Sequence, residues 1–242
     1  MKTDSLTRLL PAKRRPGAVA VRPAAKLRTG SRHQPEQTRQ AILDAAVREF
    51  AVEGIEGART QAIARAAGVN NALLYYYFRD KEALYGAVLD HVFTGLKQAT
   101  DGALNSPLPP GEKVLAYAAA HFDYIAKFPL YPRLAQRCMM GPGRAGSPQV
   151  RRIVRTHFAP IFSRLAQVLK EGIAAGEFRP VDAAQFIPSM IAVIVFYFGV
   201  LPIFEQITGN DPLSSRSLEA RRAAVLDFVS AALFAPRKGA RP

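Results

Sequence analysis

The chain has 242 residues, 49% of them apolar, a single cysteine (Cys138) and a formal net charge of +14. One thiol excludes an internal disulfide, and the dispersed histidines (His33, His91, His121, His157) offer no zinc-ligand spacing. This composition suits a reducing cytoplasm and, through its charge, an acidic partner such as nucleic acid. Helix formers dominate and period-two alternation is nearly absent, so the expected fold class is all-α.

Residues 1–35 hold nine basic residues against the single acid Asp4, which places +8 of the charge there. They carry no aromatic residue and no helical period, and a disordered tail is expected. They have no apolar core of a secretory signal. A transit-like segment, a misplaced start and an arm that tethers DNA phosphates all remain open as readings.

Order is expected from Glu36. Ile42, Ala46 and Phe50 share one face of an amphipathic helix over 36–53, which Gly54 ends. A short helix over 60–67 stops at Gly68, and Asn70 can cap the next, which runs to Phe78. Asp80 can cap a fourth helix that starts at Lys81 and reaches Leu104. The Pro-rich stretch from Asn105 to Gly111 is the clearest interruption after the tail. Further helices are expected near 112–127, 130–138, 148–175, 182–207 and 215–235. The domain reading is a tail over 1–35, a small helical unit over 36–82, a larger helical unit over 83–236 and a disordered end over 237–242.

The segment from Ala183 to Phe204 has no charged residue across 22 positions, the length of a membrane span. Pro188, Pro202, Gln185 and Ser189 interrupt it, so a helix buried on every side, partly by a second subunit, is expected instead.

Residues 60–78 read helix, tight turn, helix, the spacing of a helix-turn-helix whose second helix enters the major groove. At about 100° per residue, Leu74 and Phe78 face inward. Ala72, Leu73 and Tyr76 then face outward, with Tyr75 and Tyr77 on the flanks. Tyr76 would meet base edges, while the Tyr75 and Tyr77 hydroxyls would meet phosphates. Asn71 could pair with adenine in bidentate fashion, and Leu73 could touch a thymine methyl. Lys81, at a helix start, would bind phosphate. Each of Tyr75, Tyr77, Leu73 and Lys81 also has a plain packing or solvated reading.

Residues 38–90 resemble the DNA-binding domain of the TetR family of bacterial transcriptional regulators. The resemblance is carried by Ala41-Ile42-Leu43, Phe50, Gly54, Ile63-Ala64, Ala67-Gly68-Val69, Leu74-Tyr75-x-Tyr77-Phe78 and Lys81-Glu82-Ala83-Leu84. It implies an all-helical homodimer that binds a palindromic operator through helices one to three. A small effector would bind the larger C-terminal domain and release the DNA, and the last two helices, about 182–207 and 215–235, would pair across the dimer. Carried over by position, Thr60, Tyr77 and Lys81 would touch phosphates; Gln61, Asn71, Ala72, Leu73 and Tyr76 would face bases. Arg59 departs from the Thr or Ser usual in the family at the start of helix two. Either Thr60 caps that helix, or Arg59 adds a phosphate contact. Asn70-Asn71-Ala72-Leu73 also departs from the commoner pattern and lacks a cation.

For the effector, His121, Arg133, Arg137 and His157 could supply polar anchors among aromatic residues that include Phe122, Phe196 and Tyr197. An apolar or aromatic effector is preferred, although such residues at helical spacing equally serve a core. Gly141 to Gly146 reads GPGRAG, but without a preceding strand the match is read as a loop rather than a dinucleotide site. No catalytic or metal constellation is present, and no enzymatic activity, cofactor or metal is expected. A reading from another class is a helical protein that binds a partner or a membrane surface through its C-terminal helices and basic tail.

Overall fold

The computed structural model describes residues 35–140 and 146–234. The basic tail, most of the GPGRAG stretch and the end of the chain from 235 lie outside the described residues. Among the described residues eleven α-helices follow in order: α1 (Pro35–Gly57), α2 (Thr60–Ala67), α3 (Asn71–Tyr77), α4 (Lys81–Leu104), α5 (Pro110–Lys127), α6 (Tyr131–Met140), α7 (Pro148–Ile153), α8 (Ala159–Ala174), α9 (Ala183–Gly199), α10 (Leu201–Thr208) and α11 (Ser215–Leu233). A π-helical turn, Val154–Phe158, joins α7 to α8. Among the described residues the only β pairing is an isolated bridge between Phe178 and Phe234.

The N-terminal helices start and stop where side chains can close them. Ile42, Leu43, Ala46 and Phe50 are buried on α1, and Gly54 breaks it with φ 70° and ψ 177°, a combination that suits only glycine. Gly68 ends α2 in the left-handed region at φ 72°. The Asn70 side chain accepts from the Leu73 N–H at 2.7 Å, and Asp80 accepts from the Ala83 N–H at 2.7 Å, capping α3 and α4. Leu74 and Phe78 are buried as their spacing requires, and α4 returns over α1 with Tyr85 edge-on to Phe50 at 5.0 Å.

Two expectations for the later helices need correction. The stretch 148–175 is helical throughout but carries the π turn just before Pro160. A proline ring clashes with the carbonyl four residues earlier, and a wider turn relieves that clash. The expected helix over 182–207 is two helices that meet at 69°. Val200 leaves helical geometry at φ −120°, and Pro202, in the first turn of α10, cannot donate the bond that would continue α9. Within one chain this segment leaves apolar side chains uncovered. Phe196 is 65% exposed, and α10 has no buried residue. No single helix among the described residues is long and apolar enough to cross a membrane; α9 and α10 match in composition only as a bent pair.

Candidate nucleic-acid interface

The outward face of α3 rests on the inward one. Leu74 is fully buried and Phe78 nearly so, which turns Tyr76 and Ala72 to solvent. Tyr76 is 80% exposed, an uncommon state for so large a ring, and stands edge-on to half-buried Tyr77 at 5.4 Å. Leu73 and Asn71 are half-buried, while Gln61 is exposed on α2.

Two residues expected to meet phosphates are bonded to each other. The Thr60 hydroxyl lies 3.1 Å from the Tyr75 hydroxyl, which ties the first turn of α2 to α3. In such a pair one O–H donates to the other, leaving one O–H free to donate outward. Arg59 occupies the N-cap position of α2 without a side-chain capping bond, and its backbone N–H donates to Glu49 at 3.0 Å. Thr60 is therefore not the cap, and the Arg59 guanidinium is left exposed beside the helix start.

Lys81 and Asn71 are less free than their sequence positions suggest. The Lys81 ammonium donates to the carbonyls of Glu56 and Ala58, each at 3.2 Å, and so closes the chain end of α1. The Asn71 Oδ1 is buried with no hydrogen-bond partner, so a bidentate approach to adenine requires another rotamer of the amide. Two further cations border this face. Arg65 is exposed one turn after Gln61 on the same face of α2, and Arg79 is exposed just past α3, paired with Asp80 at 2.8 Å. The four-residue spacing from Gln61 is the signal that could have found Arg65.

These helices match a known family. Residues 42–88 match the family model described as bacterial regulatory proteins, tetR family, and residues 110–229 match a tetracyclin repressor-like C-terminal domain. The chain belongs to the TetR family. It is a DNA-binding transcriptional regulator. Among its TetR-family relatives, the transcriptional repressor NicS of Pseudomonas putida is 38% identical over 104 residues, which cover 42% of this chain and 49% of that repressor, so the match spans about half of its length. The regulator RutR of Escherichia coli is 28% identical over 182 residues, covering 75% of this chain and 84% of RutR. The crystal structure of the putative regulator SCO4942 from Streptomyces coelicolor superposes with a TM-score of 0.62 at 30% identity, covering 82% of this chain and 99% of that one.

In this TetR-family chain the residues expected around an effector do not form one group. Phe196 is on the surface of α9, and Tyr197, next to it, is buried with its hydroxyl donating to the Pro212 carbonyl at 2.7 Å. Arg133 is exposed on α6. Arg137 reaches the other way and donates to the Val52 carbonyl of α1 at 2.6 Å. Phe122 is core, its ring 5.2 Å from that of Phe198. Only His121 and His157 are both buried polar residues on helices that border a shared aromatic cluster. Tyr117 and Phe93, which complete that cluster, were missed in sequence; Tyr117 stands one helical turn before His121 and could have been found from it.

Proposed function

We propose that the protein is a repressor that binds a palindromic operator as a homodimer and leaves it when a small molecule occupies the C-terminal helices. The observation that carries this reading is the exposed row on α3, with Tyr76 outermost and the Thr60–Tyr75 hydroxyl pair beside it. Tyr76, Ala72, Leu73 and Gln61 face base edges, and Asn71 joins them once its amide turns. Arg59, Thr60, Tyr75, Tyr77 and Lys81 hold phosphates. The repressor name of the NicS relative favours repression over activation.

Dimerisation is supported by apolar side chains that one chain leaves uncovered on α9, α10 and α11: Phe196, Ile203, Ile207 and Phe228. A monomer seldom leaves so many large apolar residues this exposed. A groove of about 410 Å³ between the start of α9 and the end of α11, with Phe228 on its wall, continues this surface. The dimer then sets two recognition helices about 34–36 Å apart, the distance between successive major grooves. An effector acts by favouring a form in which α4 has swung and that spacing no longer fits, and it can do so only by its difference in affinity for the two forms. The protein acts in the cytoplasm, where the DNA is.

Selection from a randomised duplex pool tests this reading. A recurrent sequence with two-fold symmetry, bound by two chains per duplex in light scattering, is expected. Recovery of no recurrent sequence overturns it.

A further inference from the structure

We propose that His121 and His157 are the polar anchors of one effector chamber, which takes an uncharged aromatic molecule bearing a hydroxyl or carbonyl group. This rests on the reading of the C-terminal helices as the effector-binding part. The two histidines come from α5 and the π turn, and a continuous run of rings joins them. His157 lies 6.0 Å from Phe93, Phe93 lies 5.6 Å from Tyr131, and Tyr131 lies 6.5 Å from His121. Phe158 and Tyr117 border the same run, at 4.8 Å from Phe93 and 5.7 Å from His121.

Both imidazoles keep an unused ring nitrogen. His121 is 2% exposed; its Nδ1 lies 3.3 Å from the Tyr117 hydroxyl, and its Nε2 is buried with no partner. The His157 Nε2 lies 3.4 Å from the Asp90 carboxylate, and its Nδ1 is likewise buried with no partner. A core has no use for such atoms, because a buried polar group without a partner is destabilising and a phenyl ring packs as well. The backbone agrees. His157 sits in the π turn, and such turns recur at functional sites.

The lining fixes the class of ligand. Aromatic rings on every named side favour a flat aromatic partner. The unpaired nitrogens call for a group that donates or accepts one hydrogen bond, as a hydroxyl or carbonyl does. Charge is disfavoured: burial holds His121 neutral, and the ions at the His157 end, Asp90 and Arg152, are already paired with each other.

Phenol and 2-naphthol are suitable probes, with naphthalene-2-carboxylate as the charged control and 2-methylnaphthalene as the apolar one. The full-length protein, labelled with 15N-histidine, is titrated and the ring-nitrogen signals of its four histidines are followed. Binding of a hydroxyl probe with movement of the His121 and His157 signals is expected. His121→Phe should weaken that binding about tenfold, the worth of one hydrogen bond. Unmoved His121 and His157 signals with both hydroxyl probes, or tighter binding of the carboxylate, overturns the proposal. The wild-type spectra decide the matter even if His121→Phe fails to fold. A probe that moves both signals yet leaves the operator complex intact supports the chamber and counts against the effector reading instead.

Discussion

Arg137, near the end of α6, donates to the carbonyl of Val52 and lies over Gly54, where α1 breaks. A Cβ at Gly54 would stand 2.8 Å from the Arg137 guanidinium, on a residue whose φ is already +70°. Two separate costs therefore attach to Gly54→Ala: a strained backbone and a contact that is too close. We expect a loss of about 1–3 kcal/mol in denaturant unfolding. In an Arg137→Ala background the contact disappears and the backbone strain stays, so most of the loss should persist. A loss abolished by Arg137→Ala would assign the whole effect to the side chain.

The buried imidazole of His121 gives the fold a dependence on pH. Burial pushes its pKa down to about 4, whereas an unfolded chain binds the proton near pH 6.5. Between those values the unfolded state holds more protons, so stability falls as pH falls from 6.5 towards 4, by up to about 1.4 kcal/mol per pH unit. Above pH 6.5 neither state binds the proton and this contribution is flat. His121→Gln should flatten that part of the curve in denaturant titrations at stepped pH.

The hydroxyls of Thr60 and Tyr75 act as one unit if their contact persists on DNA. Thr60→Val and Tyr75→Phe should each weaken binding to specific and scrambled duplexes alike, because a phosphate contact carries no sequence information. The double variant should lose little more than either single one. Folding stability should change by less than about 1 kcal/mol, because the bond is exposed.

Phe228, 56% exposed on α11, marks the surface assigned to the dimer. Phe228→Glu should yield a folded monomer by sedimentation, with unchanged helical circular dichroism. A stable dimer in that variant would move the interface elsewhere.

The ends of α2 and α3 and the start of α4 were legible in sequence to within a residue, and the reason is local. Asn70, Asp80 and Gly68 fix the ends of α2, α3 and α4 through bonds and dihedrals that span three or four residues. Leu74 and Phe78 fix the facing of α3 by spacing alone. The break near Val200 was not legible, because hydropathy runs unbroken across it while Pro202 acts on the backbone. The ring cluster around the two buried histidines was not legible. His121 and His157 are 36 positions apart in sequence, and the rings that stand between them, Phe93 and Tyr131, come from α4 and α6. Arg137 looked like a ligand anchor because composition cannot tell which neighbour a long side chain reaches.

The measurement that tests the account most directly is fluorescence anisotropy of the selected operator against a scrambled duplex at near-physiological salt, for the wild type and Tyr76→Ala. Because Tyr76 is 80% exposed, its removal should leave the fold intact. A preference of about 10³-fold or more for the operator is expected in the wild type, with its collapse in Tyr76→Ala while weak binding to both duplexes persists. A Tyr76→Ala variant that keeps the full preference would contradict it, because the sequence would then be read by something other than the outward face of α3.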